Sequence, residues 1–196
     1  MIPKILVLAG SIRTGAYSGK TADCAQRELA MQGADVTRIS LADYPLPLMN
    51  EDLEEEQGIP ENAFKLARLI ASHDAVLICT PEYNGSLPPL LKNTIDWVSR
   101  ISEDGGKPLK PYPGKVVGLC SSSEGHFAGV RAIMHLRHVL SHIGMEVISP
   151  QVSVPRGGEA FEESGDFKEE RLRKGMARLC RTLIEHARLL STRVEH

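Results

Sequence analysis

The chain has 196 residues, of which 42% are hydrophobic, and its 23 Lys and Arg against 25 Asp and Glu give a formal net charge of −2 at pH 7. This balance excludes a strongly basic nucleic-acid-binding protein as the default interpretation. No apolar run is long enough to span a membrane. The length and the apolar content suit one globular domain over residues 1–196.

The chain starts with an apolar run over residues 5–9 that ends at Gly10. A secretory leader needs a longer apolar region, a basic start and a cleavage site, and this segment has none of them. We therefore expect it to form the first strand of a cytoplasmic protein.

The four cysteines show no C-x-x-C spacing, and each lies in an apolar stretch. Such cysteines are predicted to be reduced and buried rather than bound to a metal or paired in disulfides. They are Cys24, Cys79, Cys120 and Cys180.

Short apolar runs then alternate with segments of helical periodicity. Apolar runs without polar alternation are typical of strands buried on both faces. The predicted strands cover residues 5–9, 34–39, 75–79, 115–120 and 145–154. The predicted helices cover residues 18–31, 60–72, 88–99, 127–143 and 165–190, and the acidic run 51–56 is predicted to be a solvated loop. This alternation indicates right-handed crossovers and a parallel sheet, so the predicted fold class is α/β.

The segment after the first strand is rich in glycine and hydroxyl groups. In an open parallel sheet, ligands bind beyond the carboxyl ends of the strands. Hydroxyl groups, the Arg13 guanidinium and free amides at the start of a helix together form a phosphate cradle. The glycine spacing fits neither a Walker loop nor G-x-G-x-x-G. An ordinary loop with a serine cap is the alternative interpretation.

Polar loops also follow the third and fourth strands. Residues 80–89 contain three prolines and a glycine, which fix polar groups beside the ring of Tyr83, although a purely structural turn is the alternative. Residues 121–129 are mostly small and supply serine donors. Three such loops at adjacent strand ends predict one extended ligand, with a phosphate at the first loop and a planar ring between the other two.

Together these loops resemble the NADPH-dependent FMN reductase family of flavodoxin-like proteins, which includes bacterial quinone, azo-dye and chromate reductases. The first loop is similar to the family pattern G-S-x-R-x-x-S-x-N, and residues 81–97 are close to P-E-Y-N-x-S-x-P-x-x-L-K-N-x-I-D-W. The resemblance covers residues 4–185. Ala16 and Ser18 stand where the family usually has serine and asparagine, so backbone amides must replace one phosphate donor.

The resemblance implies a flavodoxin-like, doubly wound sheet of five parallel strands in the order 2-1-3-4-5, with helices on both faces. It implies FMN as the cofactor, NADPH or NADH as the electron donor, and a quinone, flavin, azo compound or metal oxyanion as the small-molecule acceptor. Hydride would pass through flavin N5 in a ping-pong cycle, so no residue is assigned as catalytic. It also implies a homodimer or homotetramer, and no nucleic-acid, membrane or metal partner is expected.

The predicted cofactor site combines the three loops. The first loop and the helix start would hold the phosphate, the second loop would border the isoalloxazine, and the third would close its other side. The residues predicted to bind the cofactor are Ser11, Arg13, Tyr17, Ser18, Gly19, Pro81, Glu82, Tyr83, Asn84, Gly85, Ser122, Ser123 and Gly125.

Two other functions stay open from the sequence. One is a flavodoxin-type electron carrier, although such carriers are usually strongly acidic. The other is a non-redox nucleotide- or phosphate-binding protein.

His135, His138 and His142 share one face of the predicted helix 127–143. That spacing favours a polar surface over a metal site.

Overall fold

The structure, a computed structural model, describes residues 2–191. Its strands are β1 (Lys4–Ala9), β2 (Asp35–Ile39), β3 (Ala75–Pro81), β4 (Glu103–Asp104), β5 (Lys107–Pro108), β6 (Val116–Ser122) and β7 (Glu146–Val154). Its helices are α1 (Tyr17–Met31), α2 (Glu51–Gln57), α3 (Glu61–Ser72), α4 (Pro89–Ser99), α5 (Val130–His142) and α6 (Glu170–Ser191). A 3-10 turn covers Leu41–Asp43.

Five parallel strands form the central sheet in the order β2-β1-β3-β6-β7, while β4 and β5 form a separate short hairpin. This confirms the predicted flavodoxin-like order. The chain runs from β1 to β2 on one side and then returns past β1 to β3 on the other side, so the switch point of the sheet lies between β1 and β3. All seven residues of β6 are buried, as expected for a strand covered on both faces.

Helices cover both faces of the sheet and divide the core into two apolar layers. Helices α1 and α6 pack on one face through side chains such as Leu29 and Leu183. Helices α3, α4 and α5 pack on the other face through side chains such as Leu66, Ile95 and Leu136. The doubly wound arrangement is therefore confirmed.

Three local predictions were wrong. Helix α5 begins at Val130 rather than at residue 127, because Ala128 and Gly129 adopt left-handed conformations with φ of 56° and 78°. Helix α6 begins at Glu170, because a turn with Gly165 at φ 85° precedes it. The acidic run 51–56 is helical, since the Asn50 side chain caps α2 by accepting the Asp52 amide at 3.0 Å.

The four cysteines are free and buried, as predicted. Within residues 2–191, no helix combines the length and the apolar character that crossing a bilayer would require.

Candidate functional site

The loops after β1, β3 and β6 meet at the carboxyl edge of the sheet around a cavity of about 190 Å³. Of the predicted residues, the cavity brings together Ser11, Arg13, Tyr17, Ser18, Pro81, Glu82, Tyr83, Ser122 and Ser123. The predicted residues Gly19, Asn84, Gly85 and Gly125 do not line it, whereas Ala16 and Glu124, which were not predicted, do.

Helix α1 starts at this cavity without a side-chain cap. Its N-cap residue is Ala16, and no side chain accepts a hydrogen bond from the first turn. The alternative of an ordinary loop with a serine cap is therefore wrong. The first amides of a helix have no acceptor inside the helix, and the helix dipole makes this end attractive to anions.

Two buried hydroxyl groups in the cavity have no hydrogen-bond partner among the described residues. They are Ser18 Oγ on α1 and Ser122 Oγ at the end of β6, and the two residues are only 1% and 2% exposed. An unsatisfied buried hydroxyl costs about 1–3 kcal/mol. Two such groups facing one cavity are typical of a site where a ligand supplies the partners.

The Arg13 side chain stands beside this helix start. Its guanidinium carbon lies 5.5 Å from the centre of the Tyr17 ring, and Nη1 donates to the Thr14 carbonyl at 3.2 Å. Across residues 2–191, Arg13 forms no ion pair with a carboxylate. Its charge is therefore available to an anionic ligand.

The second loop is a tight two-residue turn. Asn84 and Gly85 have left-handed φ values of 48° and 79°, and Tyr83 and Ser86 exchange backbone hydrogen bonds of 2.9 and 3.0 Å. This pattern is typical of a hairpin turn with both central residues at positive φ. Asn84 and Gly85 thus shape the turn, which holds the 46% exposed Tyr83 at the rim of the cavity.

Glu82 connects the second loop to α5. Its carboxylate accepts hydrogen bonds from Arg131 Nε at 2.8 Å and from the Arg131 and Ala132 amides at 3.2 and 3.4 Å. The side chain is 7% exposed. Its negative charge is therefore balanced by the guanidinium and by the start of α5.

The third loop depends on a close approach at Gly129. A Cβ atom there would lie 2.8 Å from Ser121 Cβ, and the residue has positive φ. Ser121 Oγ also donates to the Ala128 carbonyl at 2.7 Å. These contacts fix the path of the loop that carries Ser123 and Glu124 to the cavity.

Sequence reasoning missed a fourth loop, which follows β7. The Gly158 amide donates to the Glu124 carboxylate at 3.2 Å. A Cβ atom on Gly157 would lie 2.4 Å from the Tyr17 ring, so only glycine allows this packing. The Tyr17 hydroxyl lies beside the Glu124 carboxylate, and hydrogen bonding to that carboxylate, together with its negative charge, raises the pKa of Tyr17. The Gly157-Gly158 pair, which follows the predicted strand 145–154 after two residues, was the signal that could have identified this loop.

The histidine face on α5 is a polar surface, as predicted. His135 Nδ1 lies 2.9 Å from Ser86 Oγ, which links α5 to the second loop. In the part of the chain that the structure describes, no three potential ligands converge in a way that could hold a metal ion.

Comparisons with known proteins agree with this geometry. Residues 3–159 match the NADPH-dependent FMN reductase family. The chain is 37% identical over 147 residues to a quinone reductase of Escherichia coli (strain K12). The aligned region makes up 74% of this chain and 73% of that protein. It is 32% identical over 173 residues to an NAD(P)H-dependent FMN reductase of Pseudomonas aeruginosa. That alignment makes up 87% of this chain and 88% of the other protein.

A solved structure is also similar. The flavoenzyme NAD(P)H:(acceptor) oxidoreductase FerB from Paracoccus denitrificans matches with a TM-score of 0.79 and 26% identity, over 96% of this chain and 98% of that one.

An open parallel sheet with an uncapped helix start and a polar cavity at its switch point defines a mononucleotide-binding protein of the flavodoxin-like class. The family match over most of the chain identifies it further: the chain belongs to the NADPH-dependent FMN reductase family. It is an oxidoreductase that uses FMN, with NAD(P)H as electron donor and a small molecule as acceptor. The cavity fits such a cofactor, since it offers helix amides, hydroxyls without partners among residues 2–191, and the Arg13 guanidinium, which forms no ion pair within that range.

Proposed function

We propose that this protein binds FMN by its phosphate at the start of α1 and passes electrons from NADPH or NADH to a quinone, in a ping-pong cycle. The observation that supports this placement is the pair of buried, unpartnered hydroxyls, Ser18 Oγ and Ser122 Oγ, beside an uncapped helix start. A phosphate would accept from Ser18, Ser11 and the first amides of α1, and Arg13 would balance its charge.

The cofactor, when bound, supplies the redox chemistry by taking a hydride from the nicotinamide and passing electrons to the acceptor. The protein residues bind and orient it. No side chain of the site is required as an acid or a nucleophile, because Glu82 is held by Arg131 and the serines are hydrogen-bond donors.

Each of the three loops carries one large, exposed apolar side chain, and the one on the second loop, Tyr83, lines the cavity. Ile12, Tyr83 and Phe127 are 55%, 46% and 66% exposed. Ligand pockets usually have volumes of about 300–1,000 Å³. The cavity of about 190 Å³ would therefore hold one end of the ligand and leave its flat end beside these apolar groups. An exposed flat ring suits planar acceptors, and the relative in Escherichia coli is named a quinone reductase.

Other flavins, azo compounds and metal oxyanions are further acceptors that an open ring would admit. The flavodoxin-type carrier and the non-redox nucleotide-binding protein are the weaker alternatives, because the family match is to reductases. A formal net charge of −2 also provides little of the acidic surface that carriers use for docking.

We also propose a cytoplasmic, single-domain protein that forms a homodimer or homotetramer. Met134 on α5 and Leu48 in the segment that packs on α4 are 63% and 80% exposed. Trp97 Nε1 on α4 donates to the Pro47 carbonyl at 2.8 Å, which holds that segment in place. Exposed apolar groups on this helical layer support contact with a second copy. Light scattering on the purified protein measures the oligomer size.

An anaerobic two-step experiment tests the proposed reaction. Apoprotein is loaded with FMN, and one equivalent of NADPH or NADH is added while the visible flavin absorbance is followed. We expect the absorbance to bleach and then to return when benzoquinone is added. Parallel double-reciprocal plots in the steady state would support the ping-pong order. Absorbance that NADPH does not bleach, or that benzoquinone does not restore, would refute the proposed function.

A further inference from the structure

Tyr17, Glu124 and Gly158 form a small cluster, which we call the Glu124 cluster, and Tyr17 and Glu124 line the cavity. The Glu124 carboxylate accepts a hydrogen bond from the Gly158 amide at 3.2 Å, and the Tyr17 hydroxyl lies beside the same carboxylate. Both donors are of the kind that binds phosphate oxygens. An internal carboxylate therefore occupies donors that an anionic ligand would otherwise use.

The chain provides little to balance this carboxylate. Within residues 2–191, Glu124 forms no ion pair with a lysine or arginine. The Arg13 guanidinium lies 5.5 Å from the centre of the Tyr17 ring, and Glu124 lines the same cavity as both residues. A phosphate at the start of α1 would therefore meet the Glu124 carboxylate as well as the Arg13 guanidinium.

The packing shows that this arrangement needs specific residues. A Cβ atom on Gly158 would lie 3.3 Å from both Glu124 Oε1 and the Tyr17 hydroxyl, and one on Gly157 would collide with the Tyr17 ring. Two adjacent glycines thus allow the loop after β7 to reach the carboxylate and the phenol together. Glu124 is exposed, but contacts from α1 and from the loop after β7 hold its carboxylate in place.

We propose that Glu124 is a specificity-determining residue that opposes the phosphate of the bound nucleotide and thereby limits the affinity of the site for phosphorylated flavins. This inference rests on the proposed function, because it requires the phosphate to lie at the start of α1. The Glu124 carboxylate competes for the Tyr17 and Gly158 donors and repels the phosphate charge. Riboflavin lacks the phosphate, so neither the competition for donors nor the charge repulsion affects its binding.

The test uses apoprotein and measures the Kd of FMN, riboflavin and FAD by quenching of flavin fluorescence. The variant Glu124→Gln keeps a side-chain oxygen that accepts from the Gly158 amide but removes the charge. We expect it to bind FMN about threefold to tenfold more tightly than the wild type. The riboflavin Kd should be unchanged, and FAD, whose diphosphate is also anionic, should gain at least as much as FMN.

A matched control is Glu159→Gln, which removes a negative charge one residue beyond Gly158. Glu159 is exposed and lies 4.0 Å from Arg156, so its neutralisation should leave the FMN Kd unchanged. The gain of Glu124→Gln should shrink at high salt, because an exposed charge is screened. A second variant, Glu124→Ala, should show the same phosphate-specific gain, and a melting curve of each variant confirms folding.

Several results would overturn the inference. These are an equal gain for riboflavin, no gain or a loss for FMN with Glu124→Gln, an equal gain with Glu159→Gln, or a gain confined to Glu124→Ala. The proposed function fails in a different way: the wild type would bind FMN and riboflavin equally, and Arg13→Ala would change neither Kd.

Discussion

The two ends of the central sheet are built differently. At the amino end, Lys115 Nζ donates to the Ala71 carbonyl at 3.3 Å and to the His73 carbonyl. His73 is buried, and its two ring nitrogens contact the Leu69 carbonyl at 2.6 Å and Thr37 Oγ1 at 2.8 Å. Polar groups at this end thus have partners within the chain.

The carboxyl end contains the unsatisfied and strained groups. Ser18 Oγ and Ser122 Oγ are the buried side-chain polar atoms without partners among residues 2–191. The non-glycine residues with positive φ in the same range are Asn84, Ala128 and Arg156, and they lie in the loops after β3, β6 and β7. Strain and unsatisfied groups cost stability, and they concentrate where ligands bind. The amino end of the sheet therefore favours stability, whereas the carboxyl end has the features that are typical of a binding site.

The largest change in stability that tests this difference between the two ends is expected in the third loop, which follows β6. Gly129→Ala should lower the free energy of unfolding by about 3 kcal/mol, because its Cβ would meet Ser121 and its φ is positive. The neighbouring change Ala128→Gly should raise it by about 0.5–1 kcal/mol, since glycine relieves the strain. Urea unfolding of both variants measures the difference, and an equal effect of the two changes would contradict the account of this loop.

A substitution at the amino end should lower the stability of the protein without changing its affinity for FMN. Lys115→Met removes the donor to the carbonyls of Ala71 and His73, so the free energy of unfolding should fall by about 1–2 kcal/mol. The Kd of FMN should stay at the wild-type value, because Lys115 lies at the far end of the sheet. Urea unfolding and an FMN titration of the same sample check both statements. Weaker FMN binding would show that the two ends are coupled.

A substitution at the carboxyl end should instead raise the stability of the apoprotein and weaken FMN binding. Ser18→Ala removes an unsatisfied buried hydroxyl, so the apoprotein should gain up to about 1 kcal/mol of stability while FMN binds about tenfold less tightly. A matched control is Thr94→Val, because Thr94 Oγ1 donates to the Leu90 carbonyl at 2.8 Å. The control should lose stability and bind FMN normally. Loss of apoprotein stability in Ser18→Ala would show that its hydroxyl already has a partner.

A change in the core between the two ends should alter only how stability depends on pH. Burial raises the pKa of Cys24 to about 11, and its thiol donates to the Gly165 carbonyl at 3.0 Å. A pKa that folding raises gives stability that is complete below the unfolded value of about 8.5 and is lost as the pH rises towards the folded value. Cys24→Ser should therefore lose less stability than the wild type between about pH 8 and 10.5. Identical slopes in urea unfolding across this range would refute the assignment.

Much of the fold could be predicted from the sequence, because buried parallel strands have uninterrupted apolar sequences, as in residues 75–79. Helix α2 was missed, since its acidic composition hides a helix that depends on the Asn50 cap. The start of α5 was misplaced because the sequence alone does not show that Ala128 takes a left-handed conformation.

The candidate site could be predicted where residues lie close to the strand ends in sequence. Ser11, Arg13 and Tyr83 are of this kind, and all three line the cavity. The contact between Glu124 and Gly158 was not predicted, because it joins loops 34 residues apart in sequence. The roles of Asn84 and Gly85 in a turn depend on backbone angles that a motif does not reveal.

The most direct test of the central claim compares FMN with riboflavin. The two ligands differ by the phosphate, so the ratio of their Kd values for the apoprotein reports what the start of α1 contributes. We expect FMN to bind about a hundredfold more tightly than riboflavin, and Arg13→Ala to remove most of that preference. Equal affinity for the two flavins in the wild type, or a preference that Arg13→Ala leaves intact, would contradict the account.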